Sequence, residues 1–258
     1  MQKFKATLSE SKHTLFIATL LFIIEQLAMV PIDKLNGHHP NYFTNVTTAS
    51  IMLIIVVYWG WQLIYQNRKL NTPFDFYDSL EKIVINIIII LILAQLWAKF
   101  AIPFWHLKTG GTSENQQAIL AMGKNPISHV FQILMTALIA PMIEEILFRY
   151  AIIGPKNHLF TTKANHKIMI PWTNFQNKHP NRARFIKMII SIILFALIHM
   201  IGQLLNIHTH QQMMAASYQL GQYLLISIVF SINYYHRNNI FENIAMHIVY
   251  NSFVLSLI

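Results

Sequence analysis

A chain of 258 residues with 54% hydrophobic and only 11% charged residues is too apolar for an ordinary soluble domain. It has no cysteine, which excludes disulfides, thiolate nucleophiles and thiolate metal sites. In so apolar a chain the formal net charge of +9 indicates loop topology, not nucleic-acid binding. The composition therefore predicts a polytopic membrane protein that is embedded in the lipid bilayer.

Seven apolar segments are long enough to cross the hydrocarbon core of a bilayer as helices. They lie at about 14–31, 46–66, 83–102, 127–153, 187–206, 218–235 and 240–258. The segments lack the alternating pattern of barrel strands. We therefore predict an all-α transmembrane bundle of about seven spans, with the active site inside the bundle.

The distribution of basic residues predicts the orientation of these spans. With the N-terminus inside, cytoplasmic segments hold 14 Lys and Arg residues and outer segments hold 4, while Arg149 lies within a span. Six of the 14 belong to the connection between spans four and five, a basic loop at 154–186, and a seventh, Lys187, follows it at the start of span five. The positive-inside rule then predicts a multi-pass protein of the cell membrane with a cytoplasmic N-terminus and an outer C-terminus.

The fourth span contains three charges within six residues, Glu144, Glu145 and Arg149. A charge at the centre of a membrane helix costs about 2.5–3.5 kcal/mol on insertion scales, so these residues need partners or a function. Glu145 and Arg149 are four residues apart and share a helix face, whereas Glu144 is rotated by about 100° and must pair with another helix. Pro141, just before them, cannot donate a helical hydrogen bond.

Two later spans carry further polar residues at helical spacing, Phe195-x-x-x-His199 and His247-x-x-x-Asn251. Counted from the cytoplasmic helix ends at about 1.5 Å per residue, Glu144, His199, His247 and Asn251 all lie about 12–18 Å deep. Three helices are thus expected to bring a carboxylate, two imidazoles and a carboxamide into one layer. A lone histidine in such a helix is often only an interhelical hydrogen bonder.

Such a layer can perform two kinds of chemistry. In one, Glu144 is a general base for a water held with His199, while His247 and Asn251 stabilise an oxyanion and no cofactor is needed. In the other, Glu144, His199 and His247 bind a Zn²⁺ ion that activates the water. The absence of an H-E-x-x-H motif weakens the zinc alternative without excluding it.

The three elements Glu144-Glu145-x-x-x-Arg149, Phe195-x-x-x-His199 and His247-x-x-x-Asn251 resemble, in this order, the motifs of the CAAX protease and bacteriocin-processing family. That family includes the type II CAAX prenyl endopeptidases. The resemblance covers about 126–258, so we divide the chain into N-terminal spans at 1–125 and a catalytic core at 126–258 that includes the basic loop.

This resemblance implies an intramembrane glutamate-dependent endopeptidase. By position, Glu144 and His199 match the residues that activate water, and His247 with Asn251 match the pair that stabilises the oxyanion. Glu145 and Arg149, with Phe195, match supporting positions. The Asn-, Ile- and Lys-rich composition is compatible with a bacterial member, for which bacteriocin maturation or self-immunity is the expected setting.

Two functions of other classes remain open at this stage. A non-catalytic membrane protein could bind a bacteriocin or its receptor, with the polar layer as a binding site. A transporter with an ionisable relay is a third hypothesis, but the sequence shows no inverted repeat.

Overall fold

The structure, a computed structural model, describes residues 75–107, 133–154, 172 and 174–256, with short helical stretches within 19–23 and 50–58. Every regular element in these ranges is helical and none is a strand, which confirms the all-α prediction. Three helices are long and apolar enough to span a membrane. The first two predicted spans fall mostly outside the described residues.

Helix α1 runs from Phe76 to Phe104, longer at both ends than the predicted span at 83–102. Asp75 caps its first turn, because its carboxylate accepts hydrogen bonds from the backbone N–H groups of Tyr77 and Asp78 at 3.0 and 3.2 Å. Four of its eight isoleucines are exposed, as expected for a face that contacts lipid acyl chains.

Helix α2 is continuous but changes its hydrogen-bonding pattern twice. Its segments are Ile133–Ile139 with π-helical turns, Ala140–Glu144 with α-helical turns, and Glu145–Ile153 again with π-helical turns. The sequence predicted a helical span at about 127–153, and the π-helical turns within it are a further finding of the structure. Pro141 lies in the first turn of the α-helical segment, and π-helical turns are rare elements that are found mostly at functional sites.

Helices α3 and α4 form an antiparallel hairpin, α3 at Pro180–Leu205 and α4 at His210–Arg237. Thr209 and Gln212 form a capping box at the start of α4. Asn238, in the left-handed conformation with φ 52°, ends α4 and leads directly into α5 at Ile240–Ser256.

The interior of the bundle is built around α2, which is buried along almost its whole length. Its hydrophobic side chains pack against Phe195 of α3 and against Phe22 and Val56 of the N-terminal spans. Near the Gly154 end of α2, Lys187 of α3 is 3% exposed and its ammonium group donates to the carbonyl of Gly154 at 3.3 Å. This buried cation therefore offsets the partial negative charge of the α2 C-terminus.

Helix α1 packs closely against α4 at Trp97 and Gly221. The indole Nε1 of Trp97 donates to the carbonyl of Tyr218 at 2.8 Å. A Cβ atom on Gly221 would lie 2.2 Å from the Trp97 ring, so only glycine leaves room for the indole at this place.

Candidate active site

Glu144 lies at the end of the α-helical segment of α2 and is 5% exposed. Nε2 of His199, from α3, is 3.4 Å from its Oε1, and Nε2 of His247, from α5, is 3.7 Å from its Oε2. Both separations exceed the usual hydrogen-bond range of about 2.7–3.2 Å. The carboxylate thus sits between two imidazoles, in electrostatic contact with both and without a short hydrogen bond to either.

The other ring nitrogen of each histidine faces an oxygen acceptor. Nδ1 of His199 is 2.8 Å from the carbonyl of Phe195, and Nδ1 of His247 is 2.9 Å from Oε1 of Glu145. Since a carbonyl or a carboxylate cannot donate, we assign the proton of each neutral imidazole to Nδ1. Two Nε2 lone pairs and a carboxylate then face one place, which favours binding of a hydrogen-bond donor such as water.

Glu145 has an environment unlike that of its neighbour, because three donors surround its fully buried carboxylate. Arg149 contacts Oε1 at 3.1 Å, which confirms the pairing predicted from their spacing. His247 donates to the same oxygen, and the carboxamide of Asn243 donates to Oε2 at 3.1 Å. A desolvated carboxylate is stable only with such complete pairing.

The guanidinium of Arg149 is itself fully buried. It donates through Nη2 to the hydroxyl of Ser227 at 3.1 Å, and its Cζ lies 4.5 Å from the ring centroid of Phe195 and 5.5 Å from that of Phe230. Contact with the faces of two aromatic rings stabilises a cation that is away from water. The Glu145–Arg149 pair thus forms a neutral support beneath the Glu144 layer.

Phe195 has two roles that explain its spacing from His199. Its carbonyl accepts from Nδ1 of His199, and its ring lies 4.2 Å from the imidazole ring at an angle of 31°. On its other side the ring packs edge-on against Phe148 at 5.3 Å. Phe195 therefore fixes both the tautomer and the orientation of His199.

Sequence reasoning missed Asn243, which lies one helical turn before His247 on α5. Its carboxamide donates to Glu145 and to the carbonyl of Phe230, and it accepts from Asn233 of α4 at 2.8 Å. Asn233 in turn accepts from Asn86 of α1 at 3.0 Å. The signal was available, because Asn243, His247 and Asn251 recur every four residues and form one stripe.

Asn251 does not contact Glu144 in this structure. Its carboxamide nitrogen donates to the backbone carbonyl of Thr136 at 2.9 Å, in the first π-helical segment of α2. The predicted second oxyanion donor is thus occupied with the backbone of α2, one turn along α5 from His247.

The side chains of the alternative zinc site have the chemistry of metal ligands. His199 and His247 present unprotonated Nε2 atoms and have Nδ1 partners of the kind that zinc ligands use. Their Nε2 atoms lie 3.4 and 3.7 Å from the two oxygens of the Glu144 carboxylate. The same three side chains can therefore face either a water molecule or a metal ion.

Comparison with protein families gives one match over these elements. Residues 126–253 match the model described as type II CAAX prenyl endopeptidase Rce1-like. Residues 126–253 belong to the CAAX protease family. Neither the curated proteins nor the solved structures include a match to the chain.

Membership of the CAAX protease family makes the chain an intramembrane endopeptidase in the general sense, and the family together with the three apolar helices places it in a membrane. The matched region contains the seven site residues that we predicted from the sequence, which lie between Glu144 and Asn251. The bacterial origin, the orientation of the termini and the number of spans stay predictions from the sequence.

Proposed function

We propose that this CAAX family protease hydrolyses a peptide bond within a membrane-associated peptide or protein by means of a water molecule activated by Glu144 and His199, without a metal ion. The observation that carries the proposal is the position of the Glu144 carboxylate between Nε2 of His199 and Nε2 of His247. Neither contact is a short hydrogen bond, so the carboxylate oxygens can accept from a water molecule.

The reaction begins when Glu144 accepts a proton from this water, whose oxygen attacks the carbonyl carbon of the scissile bond. The carbonyl oxygen becomes an oxyanion, and the donor that we assign to it is His247 in its imidazolium form, in which Nδ1–H donates to Glu145 and Nε2–H points toward the reacting centre. When the carbon–nitrogen bond breaks, the proton passes from Glu144 to the leaving amine, with Nε2 of His199 as the neighbouring relay.

Replacement of Glu144 by Gln tests this proposal most directly. The amide keeps the size of the side chain and cannot accept a proton, so cleavage of a reconstituted peptide should fall by at least about 10²-fold, the usual contribution of a general base. Mass spectrometry of the products measures the loss and locates the bond that is cut. The melting temperature in detergent should stay close to that of the wild type, and a fully active Glu144→Gln protein would refute the proposal.

Chelation distinguishes the metal-free mechanism from the zinc alternative. The proposal predicts that dialysis against a strong chelator leaves the cleavage rate unchanged and that elemental analysis finds no stoichiometric metal. Loss of activity on chelation, with recovery on addition of Zn²⁺, would instead assign Glu144, His199 and His247 as ligands.

For the physiological setting we propose bacteriocin maturation or self-immunity, which rests on the family resemblance alone. If the protein confers immunity, Glu144→Gln and His199→Ala should abolish it at normal protein levels. Immunity that survives both substitutions would favour a non-catalytic binding protein.

A further inference from the structure

The carbonyl of Thr136 has no N–H group five residues later along α2 from which it could accept a hydrogen bond. In a π-helical turn a carbonyl accepts from the N–H five residues later, which for Thr136 is position 141. Position 141 is a proline, which has no N–H to donate. The π-helical pattern accordingly ends at Ile139, and the α-helical segment that carries Glu144 begins.

The missing donor is replaced from another helix. The carboxamide of Asn251, on α5, donates to the carbonyl of Thr136 at 2.9 Å. We propose that Asn251 is a positioning residue that substitutes for the absent N–H of Pro141 and thereby fixes the turn that orients Glu144. The proposal rests on the endopeptidase function proposed above.

Two contacts from one face of α5 lie on either side of this turn. Asn251 bonds to Thr136 on one side of Pro141, and His247, four residues earlier on α5, bonds to Glu145 on the other side at 2.9 Å. Glu144 lies between the two points of attachment. The two side chains, four residues apart on α5, therefore contact α2 at positions nine residues apart, with Pro141 and Glu144 between those positions.

This role differs from that of a second oxyanion donor. An oxyanion donor acts on the substrate, so its loss cannot be compensated by a change in the backbone of α2. The loss of a side chain that substitutes for a backbone N–H can be compensated, because replacing Pro141 by Ala returns a donor to position 141.

A double-mutant cycle with Asn251→Ala, Pro141→Ala and the combined variant tests the proposal in the full-length protein. We expect Asn251→Ala to lower both the melting temperature and kcat, the latter by about tenfold, with KM changed by no more than about twofold. Pro141→Ala alone should retain activity. The combined variant should recover most of the activity and thermal stability lost in Asn251→Ala, because the new N–H serves the Thr136 carbonyl.

The cycle gives clear contrary outcomes. A combined variant as slow as Asn251→Ala would assign Asn251 to the substrate and overturn the proposal, as would a Pro141→Ala protein that is itself as slow as Asn251→Ala. Pro141→Ala also changes the conformational entropy of the unfolded chain. This change is the same with Asn or Ala at position 251, so it cancels in the coupling energy. If the wild type cleaves no peptide, the proposed function fails, and the coupling in melting temperature still decides whether the two positions share one hydrogen bond.

Discussion

Glu144 and Glu145 are adjacent in sequence, identical in chemistry and almost equally buried, yet their surroundings are opposite. Glu145 forms an ion pair with Arg149 and accepts hydrogen bonds from His247 and Asn243, and all three contacts measure 2.9–3.1 Å. Glu144 has two imidazole nitrogens at 3.4 and 3.7 Å. The first carboxylate is saturated by protein donors, whereas the second has acceptor capacity left for a reacting molecule.

The difference shows how a membrane helix can keep one reactive acid in its interior. Glu145 does not compete for the water, because each of its oxygens already contacts a protein donor. It instead sets the orientation of His247. The aromatic rings around Arg149 exclude water from the supporting pair. The burial of one neutralised acid thus creates the surroundings in which the other can act as a base.

Of the changes that we consider, removal of the Arg149 guanidinium should have the largest effect, because it leaves the Glu145 carboxylate without its cation. Arg149→Met keeps much of the volume but leaves Glu145 buried without its cation, and breaking a buried ion pair in this way typically costs about 3–5 kcal/mol. We expect a correspondingly large fall in the free energy of unfolding, measured by chemical denaturation in detergent.

The control for this change is the double variant Glu145→Gln/Arg149→Met, which removes both charges. It should be more stable than Arg149→Met alone, since no uncompensated charge remains buried. If Arg149→Met unfolds at the same denaturant concentration as the wild type, the guanidinium does not stabilise Glu145.

Loss of the Asn243 carboxamide should lower the free energy of unfolding by less than loss of Arg149 does, and it should also lower kcat. Asn243→Ala removes the carboxamide that donates to Oε2 of Glu145, so we expect about 1–3 kcal/mol of destabilisation from the unsatisfied buried oxygen. The value of kcat should fall with it, because Glu145 then holds His247 less firmly.

Asn86→Ala is the matched control, since it removes a carboxamide from the same network without touching Glu145. Its kcat should stay close to that of the wild type. Equal losses of kcat in the Asn86 and Asn243 variants would show that the network acts only on stability.

The sequence was sufficient for the parts of the site that follow from helical spacing. The Glu145–Arg149 pair and the contacts of both histidines with Glu144 are consequences of periodicity and depth. It was not sufficient for the π-helical turns of α2, because their hydrogen-bond pattern depends on the fit between helices and on the defect at Pro141. The use of Asn251 by the Thr136 carbonyl follows from those turns, so it could not be predicted either.

The smallest expected effect concerns the hydroxyl of Ser227, which accepts from Arg149 at 3.1 Å. Ser227→Ala should cost about 0.5–1.5 kcal/mol, the net value of one hydrogen bond, because the guanidinium keeps its contacts with Glu145 and the aromatic rings. Ser231, one turn later on α4, is equally buried, and its hydroxyl has no hydrogen-bond partner among the described residues. Ser231→Ala should therefore leave the free energy of unfolding unchanged or raise it slightly. If both serine variants lose the same stability, the loss reflects packing of the α4 face, and the support of Glu145 does not extend beyond Arg149.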